Sequence, residues 1–144
     1  MQKRLNNEAE TLEFAKEFSA RLKPGDILAL SGELGAGKSV LARALMRALG
    51  VVDEALPSPT YTIIQEYEGR GCRIAHMDWY RLEGADELEA IGVREYFQSP
   101  WICLIEWPER ALELLPDEAI HISLLCVEDN QEARLLELNN PKAK

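Results

Sequence analysis

Gly32-Glu33-Leu34-Gly35-Ala36-Gly37-Lys38-Ser39 follows an apolar run, Ile27-Leu28-Ala29-Leu30, and precedes Val40–Leu49, whose Leu41, Ala44, Leu45, Ala48 and Leu49 recur at helical spacing. The octet fits G-x-x-x-x-G-K-[ST]. Its glycines let the backbone wrap closely around a phosphate with consecutive N–H groups aimed at the oxygens. A helix starting near Lys38 adds the positive end of its dipole. Lys38 would reach the β- and γ-phosphates, and the Ser39 hydroxyl would ligate Mg²⁺. A glycine turn that only links strand to helix is the simpler alternative. The phosphate reading is preferred because both flanks it requires, a buried strand before and a helix after, are present. Glu33, Leu34, Gly35, Ala36, Gly37, Lys38 and Ser39 are therefore the candidate ATP-binding residues.

Working outward, residues 7–22 place Thr11, Phe14, Ala15, Phe18 and Leu22 on one face of an amphipathic helix, and Pro24-Gly25 is expected to end it. Gly50 is the expected C-cap of the helix after the loop. Pro57-Ser58-Pro59 breaks the chain before two β-like stretches, 61–67 and 72–80, which Glu68-Gly69-Arg70-Gly71 joins as a hairpin. Two short helical segments follow, at 83–90 and 93–97. Trp101-Ile102-Cys103-Leu104-Ile105 is a second buried strand, ending in Glu106. Stretches 119–127 and 133–138 close the chain as a strand pair around an acidic turn, 128–132, and 139–144 is expected to fray. The fold class is α/β: a single P-loop NTPase-like domain, 1–138, with a central mixed, mostly parallel sheet flanked by helices and a β-hairpin.

The 144 residues suit one domain with its own core, and 47% apolar with 28% charged residues is ordinary for a globular protein. Sixteen Lys+Arg against 25 Asp+Glu, a formal net charge of −9, argue against binding nucleic acid unaided, since neutralising phosphates takes a surplus of cations. The three cysteines are far apart and form no Cys-x-x-Cys pair, so reduced thiols in a cytoplasmic protein are expected. No signal-like apolar stretch opens the chain, and no run approaches the ~20 residues of a membrane helix.

A phosphate loop needs a carboxylate for its metal, usually from the end of a neighbouring strand. Glu106 meets that need, because an acid after Trp101–Ile105 is costly to bury without a cation or hydrogen-bond donor; the alternative is a glutamate facing solvent. In His76-Met77-Asp78-Trp79-Tyr80-Arg81, alternation puts His76, Asp78 and Tyr80 on one face and Met77 and Trp79 on the other. Asp78 is a candidate to activate water or share the metal, against pairing with Arg81 or capping the next helix. A zinc site from His76, Asp78 and His121 is the weaker reading, as neither histidine lies in a ligand spacing. Ser58-Pro59-Thr60-Tyr61 reads either as a proline turn or as a switch loop whose hydroxyl meets Mg²⁺ or the γ-phosphate. Guanine-reading Asn-Lys-x-Asp is absent, which favours ATP over GTP.

Taken in order, the octet at 32–39, Ser58-Pro59-Thr60-Tyr61, His76-Met77-Asp78-Trp79-Tyr80-Arg81-Leu82 and Glu106-Trp107-Pro108-Glu109-Arg110 resemble the bacterial TsaE (YjeE-like) ATPases over nearly the whole chain. That resemblance implies a protein that binds ATP and Mg²⁺ and hydrolyses slowly when alone. It further implies service in making N6-threonylcarbamoyladenosine in tRNA, by docking on a TsaB–TsaD-like heterodimer and meeting tRNA only through that complex. Lys38 and Ser39 would then hold phosphate and metal, Glu106 would be the second metal ligand, Asp78 would activate water, and Thr60 would be the switch contact. Thr11 matches a threonine near the adenine, and Arg134 a basic residue of the late strands. Ser39, Tyr61 and Trp79 replace the commoner threonine, phenylalanine and leucine. Two rivals stand beside an ATPase that resets the heterodimer: a small-molecule kinase, for which there is little spare length, and an assembly factor switched by ATP binding.

Overall fold

In the computed structural model, which describes residues 1–53, 55–56 and 63–141, the chain runs through strand β1 (Gln2–Leu5), helix α1 (Glu8–Ser19), β2 (Ile27–Ser31) and α2 (Lys38–Ala48). It continues through β3 (Ile64–Glu68), β4 (Arg73–Asp78), α3 (Ala85–Ala90), β5 (Trp101–Glu106), β6 (Ile120–Val127) and β7 (Asn130–Asn139). The strands form one sheet in the order β1-β7-β6-β2-β5-β4-β3. Its centre, β6-β2-β5-β4, is parallel, while β3 on one margin and β7 and β1 on the other pair antiparallel. The expected mixed sheet with its hairpin is thus present.

Covering both faces of the sheet explains why β2 and β5 are apolar without alternation. Leu28 and Leu30 of β2 and Ile102 and Leu104 of β5 pack with Phe14 and Phe18 of α1 and Leu41 and Leu45 of α2. Ile27, Cys103 and Ile105 face the opposite way, into a second core with Met77, Trp79, Leu88 and Val93. Even-numbered residues of β4 and β5 therefore face α2. His76, Asp78 and Glu106 share that parity, so the polar residues end up on the side where α2 begins.

Helix α1 starts where the Asn7 side chain accepts the Glu10 N–H at 3.0 Å. It stops at Ser19 and not at Leu22, through tighter turns in which Arg21 N donates to Phe18 O and Leu22 N to Ser19 O. Leu22 still packs on the core. Helix α2 begins at Lys38, two residues earlier than its apolar spacing suggests, and Gly50 (φ +101°) follows its last turn. Strand β4 ends at Asp78, leaving Trp79 and Tyr80 in the turn beyond.

Two further features differ from expectation. Gln2–Leu5 is a strand although only Leu5 is buried; its stability comes from pairing with β7, not from an apolar face. The last hairpin is also tighter than expected. Only Glu128 and Asp129 turn, and β7 reaches Asn139, one residue past the domain end placed at 138. Among the described residues no helix is long and apolar enough to cross a membrane.

Candidate nucleotide and metal site

The loop from Gly32 to Gly37 leaves β2 and enters α2. Gly32 has φ +152°, and a Cβ there would stand 2.7 Å from the Leu124 carbonyl oxygen of β6, so a side chain is excluded by both conformation and space. Gly37, φ +100°, supplies the left-handed residue that caps α2. Glu33 O accepts the Ala36 N–H at 3.0 Å, and Leu34 projects outward, 72% exposed.

Arg134 of β7 fastens this loop from the side. Its Nε donates to Ala36 O at 2.9 Å and its Nη2 to Gly35 O at 3.1 Å. Nη1 donates to Gln131 O and Ala133 O at 2.6 and 2.7 Å, which holds the guanidinium in place. In a trans peptide unit C=O and N–H point opposite ways. Tying the Ala36 carbonyl to Arg134 therefore turns the Gly37 N–H away from it, as a phosphate cradle requires.

Lys38 is buried, with 5% exposure. Its ammonium donates to Gly32 O and lies 3.3 Å from the centroid of the Trp107 ring. Burial pulls the Lys38 amine below its ordinary pKa, against the opposing pull of Glu109, Glu106 and Asp78. Trp107 holds a left-handed backbone, φ +59°, a strained conformation for a bulky residue. Its ring in turn packs against Tyr80, centroids 4.9 Å apart.

Ser39 Oγ donates to Glu106 Oε1 at 2.9 Å, and His76 Nε2 lies 2.6 Å from Glu106 Oε2. Burial by itself raises the Glu106 pKa, but the His76 and Ser39 hydrogen bonds and the Lys38 charge outweigh it and leave the carboxyl below its ordinary value. Asp78 stands directly across from Glu106 in the parallel β4–β5 register, and its Oδ1 accepts the Tyr80 N–H at 2.9 Å. A hydroxyl and a carboxylate oxygen converge here at a helix N-terminus, with a second carboxylate opposite. That hard-oxygen donor set fits Mg²⁺.

Two cavities meet at this point. One, about 430 Å³, is lined by Leu34, Lys38, Ser39, Asp78, Glu106 and Trp107 among others. The second, about 380 Å³, is lined by Asn7, Thr11, Glu132 and Arg134 among others. Gly37 and Val40 border both. The phosphate-side candidates Gly35, Gly37, Lys38, Ser39, Asp78 and Glu106 thus gather in one cavity, while Thr11 and Arg134 gather in the next. Thr60, with the rest of 57–62, lies outside the described residues. The zinc reading fails: His121 on β6 is separated from β4 by β2 and β5, about 14 Å at ordinary strand spacing. Among the described residues no group of three His, Cys, Asp or Glu could hold a metal ion.

Sequence reasoning did not single out Trp107 as the neighbour of Lys38, nor His76 as the partner of Glu106. Position beside Glu106 was the available signal for the first. Same-face parity with Asp78 was the signal for the second.

The family model described as threonylcarbamoyl adenosine biosynthesis protein TsaE matches residues 5–135. The chain is 41% identical over 125 residues to the tRNA threonylcarbamoyladenosine biosynthesis protein TsaE of Bacillus subtilis, covering 87% of this chain and 77% of that one. It is 36% identical over 139 residues to the protein of the same name from Haemophilus influenzae, covering 93% and 87%. Among solved structures it resembles that of Bacillus subtilis YdiB, with a TM-score of 0.79 and 34% identity over 97% of this chain and 84% of that one.

Proposed function

The chain belongs to the TsaE family of threonylcarbamoyl adenosine biosynthesis proteins, and from that premise we propose that it is a Mg²⁺-dependent ATPase serving the machinery that makes N6-threonylcarbamoyladenosine in tRNA. The observation that carries this reading is the Ser39–Glu106 contact of 2.9 Å, set beside Lys38 where α2 begins. Ser39 and Glu106 would hold Mg²⁺, which when bound neutralises charge on the phosphoryl oxygens.

Lys38 and the loop N–H groups bind and orient the β- and γ-phosphates. The cavity beside Thr11 and Arg134 takes the adenosine, and the border at Gly37 and Val40 lets one nucleotide span both. Asp78, across the register from Glu106, orients or deprotonates the attacking water. Catalysis of this kind is chiefly positioning and charge neutralisation. Among the described residues no arginine lines the phosphate cavity, so slow hydrolysis by the isolated chain is expected. Arg81 or a partner's arginine is the candidate to complete the site.

A TsaB–TsaD-like heterodimer is the proposed partner, and tRNA is met through it in the cytoplasm. The net charge of −9 supports a protein-docking surface over a direct RNA interface. Hydrolysis would reset the heterodimer between rounds. An ATPase assay with and without the purified heterodimer and tRNA tests this, and stimulation by the partners is the expected result. Transfer of the phosphoryl group to a nucleoside or sugar in place of water would overturn it. A Glu106→Ala variant that loses hydrolysis yet fully supports modification would turn the reading toward an ATP-switched assembly factor.

A further inference from the structure

His76 is fully buried on β4, one strand in from the β3 margin of the sheet, on a face where Ile74, two residues earlier, and Leu104, across the β4–β5 register, are aliphatic. An aliphatic residue at 76 would extend that core, so the imidazole requires a reason. Its Nε2 lies 2.6 Å from Glu106 Oε2, while Nδ1 is buried with no hydrogen-bond partner among the described residues. Glu106, 2% exposed, has its other oxygen taken by Ser39 at 2.9 Å. An ionised carboxylate can only accept, so Nε2 carries the proton and donates it. The final torsion of a glutamate is broad and holds a carboxylate plane poorly by itself. Two donors on its two oxygens hold it.

We propose that His76 is a positioning residue: by donating Nε2–H to Glu106 Oε2 it locks the carboxylate plane, so that Oε1 alone is presented beside Ser39 to the metal. The parallel register explains how. Asp78 lies directly opposite Glu106, and His76, two residues earlier on the same face of β4, reaches Glu106 on the diagonal. Strand β4 thus supplies one group facing the cavity and one behind the carboxylate. Partners behind a metal ligand set its orientation, and their loss typically costs about 10- to 100-fold in metal affinity or activity.

The inference rests on Glu106 as a metal ligand, and its test separates the two ideas. Mg²⁺ is titrated into the ATPase reaction at saturating ATP for the wild type, His76→Leu, His76→Gln and Glu106→Gln, and nucleotide affinity is measured separately without metal. His76→Leu is expected to raise the Mg²⁺ needed for half-maximal activity by about tenfold or more, with metal-free nucleotide affinity unchanged. His76→Gln, whose carboxamide can still donate, should recover most of that loss. An unchanged Mg²⁺ requirement in His76→Leu when Glu106→Gln does shift it, or a Gln variant no better than Leu, overturns the positioning role alone. No shift in either His76→Leu or Glu106→Gln overturns the metal assignment itself. Should His76→Leu not fold, nitrogen NMR of the wild-type imidazole decides: a protonated Nε2 is expected, and a protonated Nδ1 with bare Nε2 refutes the proposal.

Discussion

Arg134→Ala removes a side chain that sits about a hundred residues away from the loop in sequence yet holds two of its carbonyls, Ala36 O at 2.9 Å and Gly35 O at 3.1 Å. A half-exposed hydrogen bond contributes roughly 1 kcal/mol net, so the loop loses about 2 kcal/mol of preorganisation. The two bonds to Gln131 and Ala133 lie within the hairpin's own strand and bear on its stability instead. If a nucleotide must restore the loop on binding, about 2 kcal/mol appears as a roughly 30-fold rise in Kd. Arg134→Lys, with a point charge that cannot span both carbonyls, should fall between, at about fivefold. Calorimetry with ADP and Mg²⁺ measures the affinity, and hydrogen exchange of the amides at 35–38 measures the loop directly. Faster exchange there must accompany the weaker binding. An Arg134→Ala variant that binds ADP within about twofold of wild type, or binds weakly with loop exchange unchanged, refutes the strut.

Gly32→Ala puts a Cβ 2.7 Å from the Leu124 carbonyl oxygen at φ +152°, so a loss of roughly 1–3 kcal/mol in denaturant-measured stability is expected, with weaker ADP binding. Asp78→Asn should lower turnover far more than nucleotide affinity in steady-state and binding measurements; equal losses would make Asp78 structural. Tyr96 donates to Glu66 Oε2 at 2.5 Å, and that hydrogen bond, then burial, raises its phenol pKa to about 12. A raised folded-state pKa contributes stability that is fully present below the unfolded tyrosine value and is lost as pH climbs toward 12. Tyr96→Phe should therefore destabilise by about 1 kcal/mol at neutral pH. It should also remove a phenol that ionises at about pH 12 from an ultraviolet absorbance titration.

What could be read along the chain was whatever local spacing determines. The octet 32–39 stands out because the proposed phosphate site needs its residues adjacent, and the apolar runs of β2 and β5 stand out because both their faces are covered. Glu106 was legible as one acid ending such a run. What escaped depends on partners brought from afar. β1 carries Lys3 and Arg4 on an edge strand and has one buried side chain, so its pattern resembles a loop until β7 lies beside it. The pairing of His76 with Glu106 requires the β4–β5 register, which no spacing within either strand reveals. The left-handed backbone of Trp107 just before a proline contradicts local preference and is held by tertiary contacts. Family resemblance pointed to Arg134 as a candidate nucleotide-binding residue, but its grip on the loop carbonyls was not foreseen.

Synthesis from the amino end gives the arrangement of β2 a further meaning. The strand that launches the phosphate loop takes both its neighbours, β5 and β6, from the second half of the chain, and the loop's fastening comes from Arg134. A nascent chain emerging from the ribosome therefore exposes residues 32–39 long before β5, β6 and Arg134 can hold them in shape. Under the proposed function, nucleotide would not guide the early stages of folding, because both neighbours of β2 and Arg134 are synthesised late. Contacts so distant in sequence make folding slow relative to the chain's modest size. A ribosome-bound fragment ending before residue 134 should neither retain ATP nor resist protease around the loop, and the gain of both on lengthening it past β7 would mark the moment the site closes.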